Sequence, residues 1–227
     1  MSTSILRAVV FDLDGLMFNT EELYEQVDTE VLARRGKPCE EALLDQMTGR
    51  KADVALQMMI DWHDLDDTIE QLSAEISALF AEVLPQRLAP MPGLMRLLDA
   101  LEVAQIPKGI ATSSGPAFVS DVLNRFQLQP RFSFVLTSED IQHGKPAPDI
   151  YRLAAERHGL PTEQVMVLED SLAGCQAAVA AGAYAVAVPH GRSLKFDFPG
   201  ANLIADTLDD PRIGAALGLP RQPAETD

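Results

Sequence analysis

Two pairs of acidic residues in this sequence each follow directly on a short run of apolar residues. Asp12 and Asp14 are separated by one leucine, and Glu169 and Asp170 are adjacent. Neighbouring carboxylates repel each other, and a divalent cation removes that cost; their hard oxygen atoms suit magnesium. The pairs therefore predict a metal site. The alternatives are two surface acids in a turn for the first pair, and a helix N-cap by Asp170 or Ser171 for the second.

A turn rich in hydroxyl groups and a lysine in a restrained loop could together bind a phosphoryl group. Thr112, Ser113 and Ser114 follow another apolar run, and hydroxyls and N–H groups at a strand-to-helix turn bind anions. Lys145 stands between a glycine and a proline that restrain its backbone, so its ammonium group can be aimed at negative charge. Taken singly, the turn is better explained by a helix N-cap at Ser113 or Ser114, and the lysine equally well by a solvated surface side chain.

All four segments lie at the ends of runs that have the pattern of buried strands. Short apolar runs are typical of strands covered on both faces, as in a parallel sheet. From residue 93 onward they alternate with helical patterns, such as the i, i+3, i+4, i+7 leucine stripe that begins at Leu94. This alternation predicts an α/β fold with a doubly wound parallel sheet, in which ligand sites lie at the carboxyl ends of the strands. The predicted strands are Arg7–Asp12, Ile106–Thr112, Phe134–Thr137, Val165–Leu168 and Ala183–Val188.

Residues 20–90 interrupt this alternation with helical patterns alone. We therefore predict an inserted all-helical cap at residues 20–90 and a Rossmann-like core formed by residues 1–19 and 91–227. The last part of the core, Pro211 to Asp227, is small, polar and contains prolines. It is expected to form a short helix followed by a loosely ordered tail, within about residues 212–227. The predicted cap helices are Glu21–Arg35, Glu40–Met47, Asp53–Trp62 and Asp66–Leu84.

The composition argues against several classes of function. The chain has 227 residues with 18 Lys+Arg against 34 Asp+Glu, a net charge of −16, which disfavours nucleic acid as the main partner. The glycine-rich loops of NTPases and dinucleotide-binding enzymes are absent. Two cysteines cannot form a disulfide framework, and no signal peptide or membrane-length apolar run is visible. We expect a cytoplasmic monomer that acts on a small phosphorylated metabolite and binds neither nucleic acid nor membrane.

In their order along the chain, the four segments resemble the four motifs of the haloacid dehalogenase superfamily of phosphatases and phosphomutases. The resemblance covers nearly the whole chain. The helical insertion after the first motif is similar to the cap of the β-phosphoglucomutase-like and pseudouridine 5′-phosphatase-like subgroup. The residues that carry the resemblance are Asp12, Asp14, Gly15, Thr112, Lys145, Glu169 and Asp170.

The resemblance implies a catalytic role for several of these residues. Asp12 attacks the phosphoryl group and forms an aspartyl-phosphate, while Asp14 protonates the leaving oxygen and then activates water. Thr112, with Ser113 beside it, binds the phosphoryl oxygens, and Lys145 neutralises Asp12 and the phosphate. A carboxylate nucleophile divides one difficult step into two, so these residue types suit the implied chemistry.

The resemblance also implies a magnesium site. The Asp12 side chain, the Asp14 backbone carbonyl and Asp170 hold Mg²⁺, and Glu169 is a further carboxylate beside these ligands. The cation and the lysine together stabilise the phosphoryl oxygens. The sequence therefore predicts a magnesium-dependent phosphatase that hydrolyses a small-molecule phosphomonoester, such as a sugar phosphate or a nucleotide.

Two departures from the mutase pattern favour hydrolysis over isomerisation. Mutases of this family carry a histidine at the position of Tyr24 and an arginine at the position of Ala52, and neither is present here. Arg50 and Lys51 are close by in the sequence and could substitute. A phosphohexomutase of the β-phosphoglucomutase type is therefore the alternative, and a non-catalytic phospho-acceptor or binding protein is a more remote one.

The choice of substrate is expected to depend on the cap and its hinges, because a cap that closes over the site excludes water from it. In the alternative interpretation, Leu23, Val27 and Val31 build the core of the cap while Glu21 and Tyr24 face solvent. The candidate substrate contacts are Met17, Phe18, Glu21, Tyr24, Gly49, Arg50 and Lys51.

Overall fold

A parallel sheet forms the centre of the fold. The computed structural model describes residues 5–47 and 50–220. Within these ranges six strands pair in the order β3-β2-β1-β4-β5-β6, and every neighbouring pair is parallel. The four residues of β1 are fully buried because both faces of the sheet are covered. The strands are β1 (Ala8–Phe11), β2 (Lys108–Ala111), β3 (Phe134–Leu136), β4 (Val165–Glu169), β5 (Tyr184–Ala187) and β6 (Leu203–Ile204).

Helices cover both faces of this sheet. The helices of the described residues are α1 (Thr20–Arg34), α2 (Glu41–Met47), α3 (Ala52–His63), α4 (Ile69–Arg87), α5 (Leu94–Val103), α6 (Pro116–Arg125), α7 (Asp149–His158), α8 (Leu172–Ala181) and α9 (Pro211–Ala216), of which α5 to α8 pack on the sheet. Val9 and Phe11 of β1 share an apolar cluster with α5 and α6, whereas Ala8 and Val10 share another with α7 and α8. The predicted α/β class with a doubly wound parallel sheet is therefore confirmed. None of the described helices is long and apolar enough to span a membrane.

Helices α1 to α4 build a third apolar cluster, separate from the two clusters that pack on the sheet. Phe118 of α6 packs against it from the side of the sheet. Such a cluster supports the division of the chain into a cap at residues 20–90 and a core on either side of it, which stays a prediction. Fully buried members of the cluster are Val31, Leu32, Leu43, Met59 and Leu72.

The two places where the chain passes between the core and these four helices lie side by side. The Asn19 N–H donates to the Ala89 carbonyl (3.2 Å), and the Ala89 N–H donates to Asn19 Oδ1 (2.8 Å). Phe18 and Pro90 form an isolated antiparallel bridge next to them. Because the crossings are joined, α1 begins directly beside the loop after β1.

Several boundaries differ from the sequence prediction. Helix α4 ends at Arg87 and not at Leu84, with Pro85 inside its last turn. Pro85 has no backbone N–H to donate, but the helix continues for another turn because the Leu88 N–H still donates to the Leu84 carbonyl (3.1 Å). The same helix begins at Ile69, where Thr68 forms a capping box. Strand β6 and helix α7 were not predicted.

The short helix expected at the start of the C-terminal segment is present as α9, whereas the loosely ordered tail does not begin as early as about residue 212. The Asp210 carboxylate accepts a hydrogen bond from the Arg212 N–H (2.8 Å) and caps α9. Ile213 is fully buried and Leu217, four residues later, is nearly so. This i, i+4 apolar pair binds the segment to the core. Residues 221–227 lie outside the described residues.

Candidate active site

Buried carboxylates from two neighbouring strands meet at the carboxyl edge of the sheet. Strands β1 and β4 pair with Phe11 opposite Leu168, so the residues that follow them lie side by side. Asp12, Glu169 and Asp170 are all buried, and one carboxylate oxygen of each lies within 4.8 Å of the others. The two acid pairs of the sequence therefore belong to one cluster.

Lys145 reaches this cluster from the loop before α7. Its buried ammonium donates to Asp12 Oδ1, to Glu169 Oε1 (2.6 Å) and to the Ala111 carbonyl (3.2 Å). Burial by itself would lower the pKa of Lys145, but the charges of Asp12 and Glu169 raise it above its ordinary value. The lysine is therefore a fixed cation beside Asp12 and not a solvated surface side chain.

Glu169 holds that lysine in place. Besides Lys145, its carboxylate accepts hydrogen bonds from the Tyr151 hydroxyl (2.5 Å) and from both the N–H (3.2 Å) and the hydroxyl (3.0 Å) of Ser171. The Ser171 hydroxyl also accepts from the Gly174 N–H (3.0 Å), so Ser171 caps α8 and Asp170 does not. Tyr151 was missed by sequence reasoning, because one buried tyrosine in a helix gives no distinguishing signal.

The hydroxyl turn after β2 holds Asp14. The Thr112 hydroxyl (3.0 Å) and the Ser114 hydroxyl (2.7 Å) both donate to Asp14 Oδ2. The Ser114 N–H in turn donates to Thr112 Oγ1 (3.0 Å). Ser113 lines the adjoining cavity. The alternative of a cap by Ser113 or Ser114 is wrong, because α6 begins after Gly115 with Pro116 in its first turn and without a side-chain cap.

The residues of this edge fit a divalent cation. Asp14 Oδ1 and Asp170 Oδ1 are buried, and neither has a hydrogen-bond partner in the described part of the chain. Gly15 has a φ of +77°, and a Cβ there would lie only 2.2 Å from Asp170 Oδ2. Only a glycine lets the backbone pass so close to that carboxylate. Orphaned hard oxygens beside a close-fitting backbone are a donor set suited to such an ion.

The raised pKa values of the carboxylates in this cluster agree with a site for a divalent cation. Burial raises the pKa of Asp12 well above its ordinary value; Glu169 and Asp14 raise it further, and Lys145 lowers it. Burial, followed by the charges of Glu21, Glu169 and Asp12, raises the pKa of Asp170 in the same way. Lysine alone does not offset the repulsion among these carboxylates. A divalent cation would do so.

A cavity of about 580 Å³ opens over this edge, between the sheet and helices α1 to α4. Its volume is in the range of small-molecule sites. The described residues around it include Asp12, Asp14, Lys145 and Asp170 from the core. From the predicted cap it is lined by Glu21, Tyr24, Arg50 and Lys51, so these four candidates share one cavity with the acidic cluster.

Two other candidate contacts are not found there. Met17 and Phe18 are fully buried in the main apolar cluster, because the chain turns back at Gly15 and directs both side chains into the core. The Phe18 ring lies 4.9 Å from that of Phe126, between centroids. The expectation that Met17 and Phe18 touch substrate is therefore wrong. Gly49 lies outside the described residues.

Glu21 and Tyr24 face the cavity and not the solvent. The Tyr24 ring stacks on Phe80 with centroids 4.2 Å apart. Burial, followed by the charge of Asp14, raises the pKa of Tyr24 above its ordinary value. Burial, with Asp14 and Glu169, also raises the pKa of Glu21 to about 8. The opposite face of α1 does contribute to the apolar cluster of the four helices, as the alternative interpretation predicted.

Lys51 connects the predicted cap to the loop that carries Lys145. Its side chain passes so close to Gly144 that a Cβ there would lie 2.8 Å from Lys51 Cε. Gly144 directly precedes Lys145. The Lys51 side chain therefore crosses to the core at one wall of the cavity, while Arg50 remains exposed.

A second set of contacts, which the sequence did not reveal, joins the loop after β5 to α1 and α2. Arg192 donates two hydrogen bonds to the carboxylate of Glu25 (2.8 and 2.9 Å). Lys195 pairs with Glu41 (2.7 Å) and Asp45 (2.5 Å). We call this set the cap–core ion-pair cluster; its members are Glu22, Glu25, Glu41, Asp45, His190, Arg192 and Lys195. Charged residues this far apart in the sequence give no local pattern.

Comparison with known proteins gives one family. The family model described as haloacid dehalogenase-like hydrolase matches residues 9–188. A Thermotoga maritima protein named "Phosphorylated carbohydrates phosphatase" is 30% identical over 177 residues, covering 78% of this chain and 82% of that protein. A Drosophila melanogaster protein named "Probable pseudouridine-5'-phosphatase" is 33% identical over 205 residues, covering 85% and 87%.

A solved structure has the same fold. The crystal structure of CbbY from Rhodobacter sphaeroides in complex with phosphate superposes with a TM-score of 0.80. It covers 94% of this chain and 100% of that chain at 24% sequence identity. At this identity the likeness concerns the fold alone.

Proposed function

The chain belongs to the haloacid dehalogenase-like hydrolases, and from this premise we propose that it is a magnesium-dependent phosphatase of a small phosphomonoester. One observation carries the proposal. Asp12, with Lys145 bonded to one of its oxygens, and Asp14, held by two hydroxyls, both border the same cavity. A nucleophile with a fixed cation and a second positioned acid are the parts that phosphoryl transfer to a carboxylate needs.

The reaction follows from these positions in two steps. An oxygen of Asp12 attacks phosphorus as the bond to the leaving oxygen breaks, and Asp14 gives its proton to that oxygen. In the second step Asp14 takes a proton from water, which attacks the aspartyl-phosphate and releases phosphate and free Asp12. The Ser114 hydroxyl keeps the Asp14 carboxyl group aimed at the reacting oxygen in both steps, while the Thr112 hydroxyl is proposed to turn from Asp14 to the phosphoryl oxygens when substrate binds.

Lys145 acts through charge and position. Its ammonium stabilises the negative charge of the phosphoryl oxygens next to Asp12. The bond to Glu169 prevents it from turning away, and Tyr151 and Ser171 fix Glu169 in turn. Ser113 is proposed to join Thr112 in binding the phosphoryl oxygens.

The Asp12 carboxylate, the Asp14 backbone carbonyl and Asp170 would hold Mg²⁺, with Glu169 beside them. When bound, the ion would neutralise the carboxylates and stabilise the charge that develops on the phosphoryl oxygens. The unpartnered Oδ1 of Asp170 supports this assignment.

A phosphohexomutase is the second candidate. Arg50 and Lys51 line the cavity and could bind the second phosphate of a bisphosphorylated intermediate. Against this, Tyr24 stands where the mutases carry a histidine, and its raised pKa makes it a poor proton carrier at neutral pH. Hydrolysis is therefore the better supported reaction.

We further propose that the protein is a cytoplasmic monomer that binds neither nucleic acid nor membrane. Cys39 and Cys175 are free thiols, as is typical of a reducing compartment. Exposed large apolar side chains of the described residues are spread over several elements, among them α3, α5 and β6. Scattered residues of this kind do not form the continuous patch of a stable interface.

The proposal is tested by measuring phosphate release from a broad panel of phosphomonoesters, with and without Mg²⁺. Repeated turnovers that need Mg²⁺ and vanish in Asp12→Asn would support it. Full turnover by Asp12→Asn would reject the mechanism. Conversion of a hexose phosphate into its isomer without net phosphate release would favour the mutase.

A further inference from the structure

Asp28 is a buried acid of α1 without a partner. Its residue is 6% exposed and borders the cavity over the catalytic edge. Within residues 5–47 and 50–220, no side chain or backbone group forms a hydrogen bond or ion pair with it. Burial, with the charge of Glu25, raises the pKa of Asp28 to about 7. A buried carboxyl group with no partner costs stability, so its presence in a cavity wall calls for a ligand.

The neighbouring acids of α1 show the contrast. Glu22 contacts His190 (2.9 Å), and Glu25 accepts two hydrogen bonds from Arg192. These two residues therefore belong to the cap–core ion-pair cluster. Asp28, three residues beyond Glu25, is reached by neither His190 nor Arg192. It is left facing the cavity.

Asp28 lies at the far end of the cavity from the reacting phosphorus. Glu21 lies at the end of α1 nearest the acidic cluster, since its Cγ would lie 2.9 Å from a Cβ on Gly15 in the loop after β1. Asp28 follows seven residues later on the same helix face, which is about 10 Å along the helix axis. That distance matches the length of a leaving group of sugar size.

The walls of the cavity that Asp28 borders combine hydroxyl groups with apolar surface. Ser73 and Ser77 of α4 border the same cavity, together with Ile76 and Met47. An ionised carboxyl group accepts hydrogen bonds, and a protonated one can also donate. A sugar hydroxyl complements both forms. A cationic group does not, and Arg50, Lys51 and Arg192 in the cavity walls disfavour it further.

We propose that Asp28 is a specificity-determining residue that hydrogen-bonds hydroxyl groups at the far end of the leaving group, so that the enzyme prefers polyhydroxylated phosphate esters. This inference rests on the proposed phosphatase function. Asp28 would also disfavour the binding of other phosphate esters. A leaving group without hydroxyls at its far end leaves Asp28 without a partner, and a carboxylate at that end would be repelled by the Asp28 carboxylate.

The test compares three esters in the wild-type protein and its variants with Mg²⁺ present. Ribose 5-phosphate carries hydroxyls, 2-phosphoglycolate has a short leaving group with no hydroxyl, and p-nitrophenyl phosphate has no O–H or N–H donor in its leaving group. The variants are Asp28→Ala and the isosteric Asp28→Asn. The matched control is Glu30→Gln on the exposed face of the same helix, where Glu30 contacts only Arg34 among the described residues.

We expect both Asp28 variants to lower kcat/KM for ribose 5-phosphate by about tenfold or more and to leave p-nitrophenyl phosphate unchanged. The preference for ribose 5-phosphate over 2-phosphoglycolate should narrow, and Glu30→Gln should match the wild type on all three. Asp28→Asn preserves the shape of the side chain, so it keeps the test valid if Asp28→Ala fails to fold.

Three results would overturn the inference: an equal loss on all esters, which indicates a structural role; no loss on any; or a wild-type preference for 2-phosphoglycolate. The failure of the proposed function would look different. Then the wild type would release no phosphate even from p-nitrophenyl phosphate, or Asp12→Asn would release as much.

Discussion

Replacing Gly174 with alanine is expected to disable the enzyme, although Gly174 has no reactive group. It lies buried in the first turn of α8, against the carboxylate of Glu169. A Cβ at this position would lie 1.7 Å from Glu169 Oε1, 2.0 Å from Cδ and 2.3 Å from Oε2. No arrangement of atoms tolerates such distances, so the Glu169 side chain has to move.

The cost of that movement follows from the bonds that Glu169 makes. Its carboxylate accepts hydrogen bonds from Lys145, Tyr151 and Ser171, and each bond to a charged group contributes about 1.5–3 kcal/mol. Loss of two of them, offset by about 1 kcal/mol from the higher helix propensity of alanine, destabilises the fold by about 2–5 kcal/mol. Lys145 also loses the bond that keeps it beside Asp12. We therefore expect turnover to fall by about 100-fold or more.

The assay is urea unfolding combined with phosphate release, both measured well below the melting temperature of each variant. Gly214→Ala is the matched control, because Gly214 lies in α9 and the nearest atom to a Cβ there is 3.7 Å away, an ordinary contact. That variant should be more stable than the wild type by about 0.5–1 kcal/mol, with normal turnover. If Gly174→Ala behaved like Gly214→Ala, the argument that Glu169 is rigidly held would be refuted.

Three further predictions concern the metal, the cap and pH. Asp170→Asn is expected to raise the Mg²⁺ concentration for half-maximal turnover by about tenfold or more, as measured by titration of phosphate release, because it removes one charged ligand. Arg192→Gln removes the bonds to Glu25; since this pair is partly exposed, stability should change by no more than about 1 kcal/mol, while KM rises and loses its dependence on salt. Asp28→Asn should stabilise the protein more at high pH than at low pH. The folded-state pKa of Asp28 is raised to about 7, above an unfolded value of about 3.9. The contribution of Asp28 to stability is therefore fully present below about pH 4 and is lost as the pH rises through 7. This loss lowers the free energy of unfolding of the wild type by up to about 4 kcal/mol at pH 8 and by about 1.5 kcal/mol at pH 5. Unfolding of both proteins at the two pH values measures the difference.

Each of these predictions has a result that contradicts it. An unchanged Mg²⁺ requirement in Asp170→Asn would remove Asp170 from the metal site. For the cap, Arg125→Gln is the control, because Arg125 pairs with Asp121 within α6; an equal effect of both arginine variants on KM would show that the contact with Glu25 is irrelevant. An equal stability change at both pH values in Asp28→Asn would mean that Asp28 titrates normally in the folded state.

The sequence predicted the sheet because strand signals are local. Each apolar run is long enough to be read on its own, and acids that end two runs share an edge once the runs are parallel neighbours. Phe11 and Leu168 are in register, so this edge brought Asp12 and Asp170 together as the pattern indicated. Strand β6 has two residues, which is too short for any periodicity to appear.

Contacts between distant segments could not be predicted in the same way. Arg192 and Glu25 are 167 residues apart, and both look like ordinary charged surface residues in the sequence. Ser114 was weighed as a helix cap, because capping is a local interaction, whereas its bond to Asp14 depends on how β1 and β2 pair. Met17 and Phe18 were expected at the substrate because of their nearness to Asp14, and the turn at Gly15 reverses their direction.

The electrostatics of the cavity link the metal to the substrate. The described residues that line it include eight acids but only four lysines and arginines, and Arg192 is already bonded to Glu25. A phosphate dianion that enters this field meets net negative charge, which Lys145 alone does not offset because it is shared between Asp12 and Glu169. The proposed divalent cation at Asp12 and Asp170 would reverse the local field, so metal and phosphate would each favour the binding of the other. Under this proposal, the same acids that repel a phosphate ester in the absence of metal would favour an ester that binds together with a divalent cation.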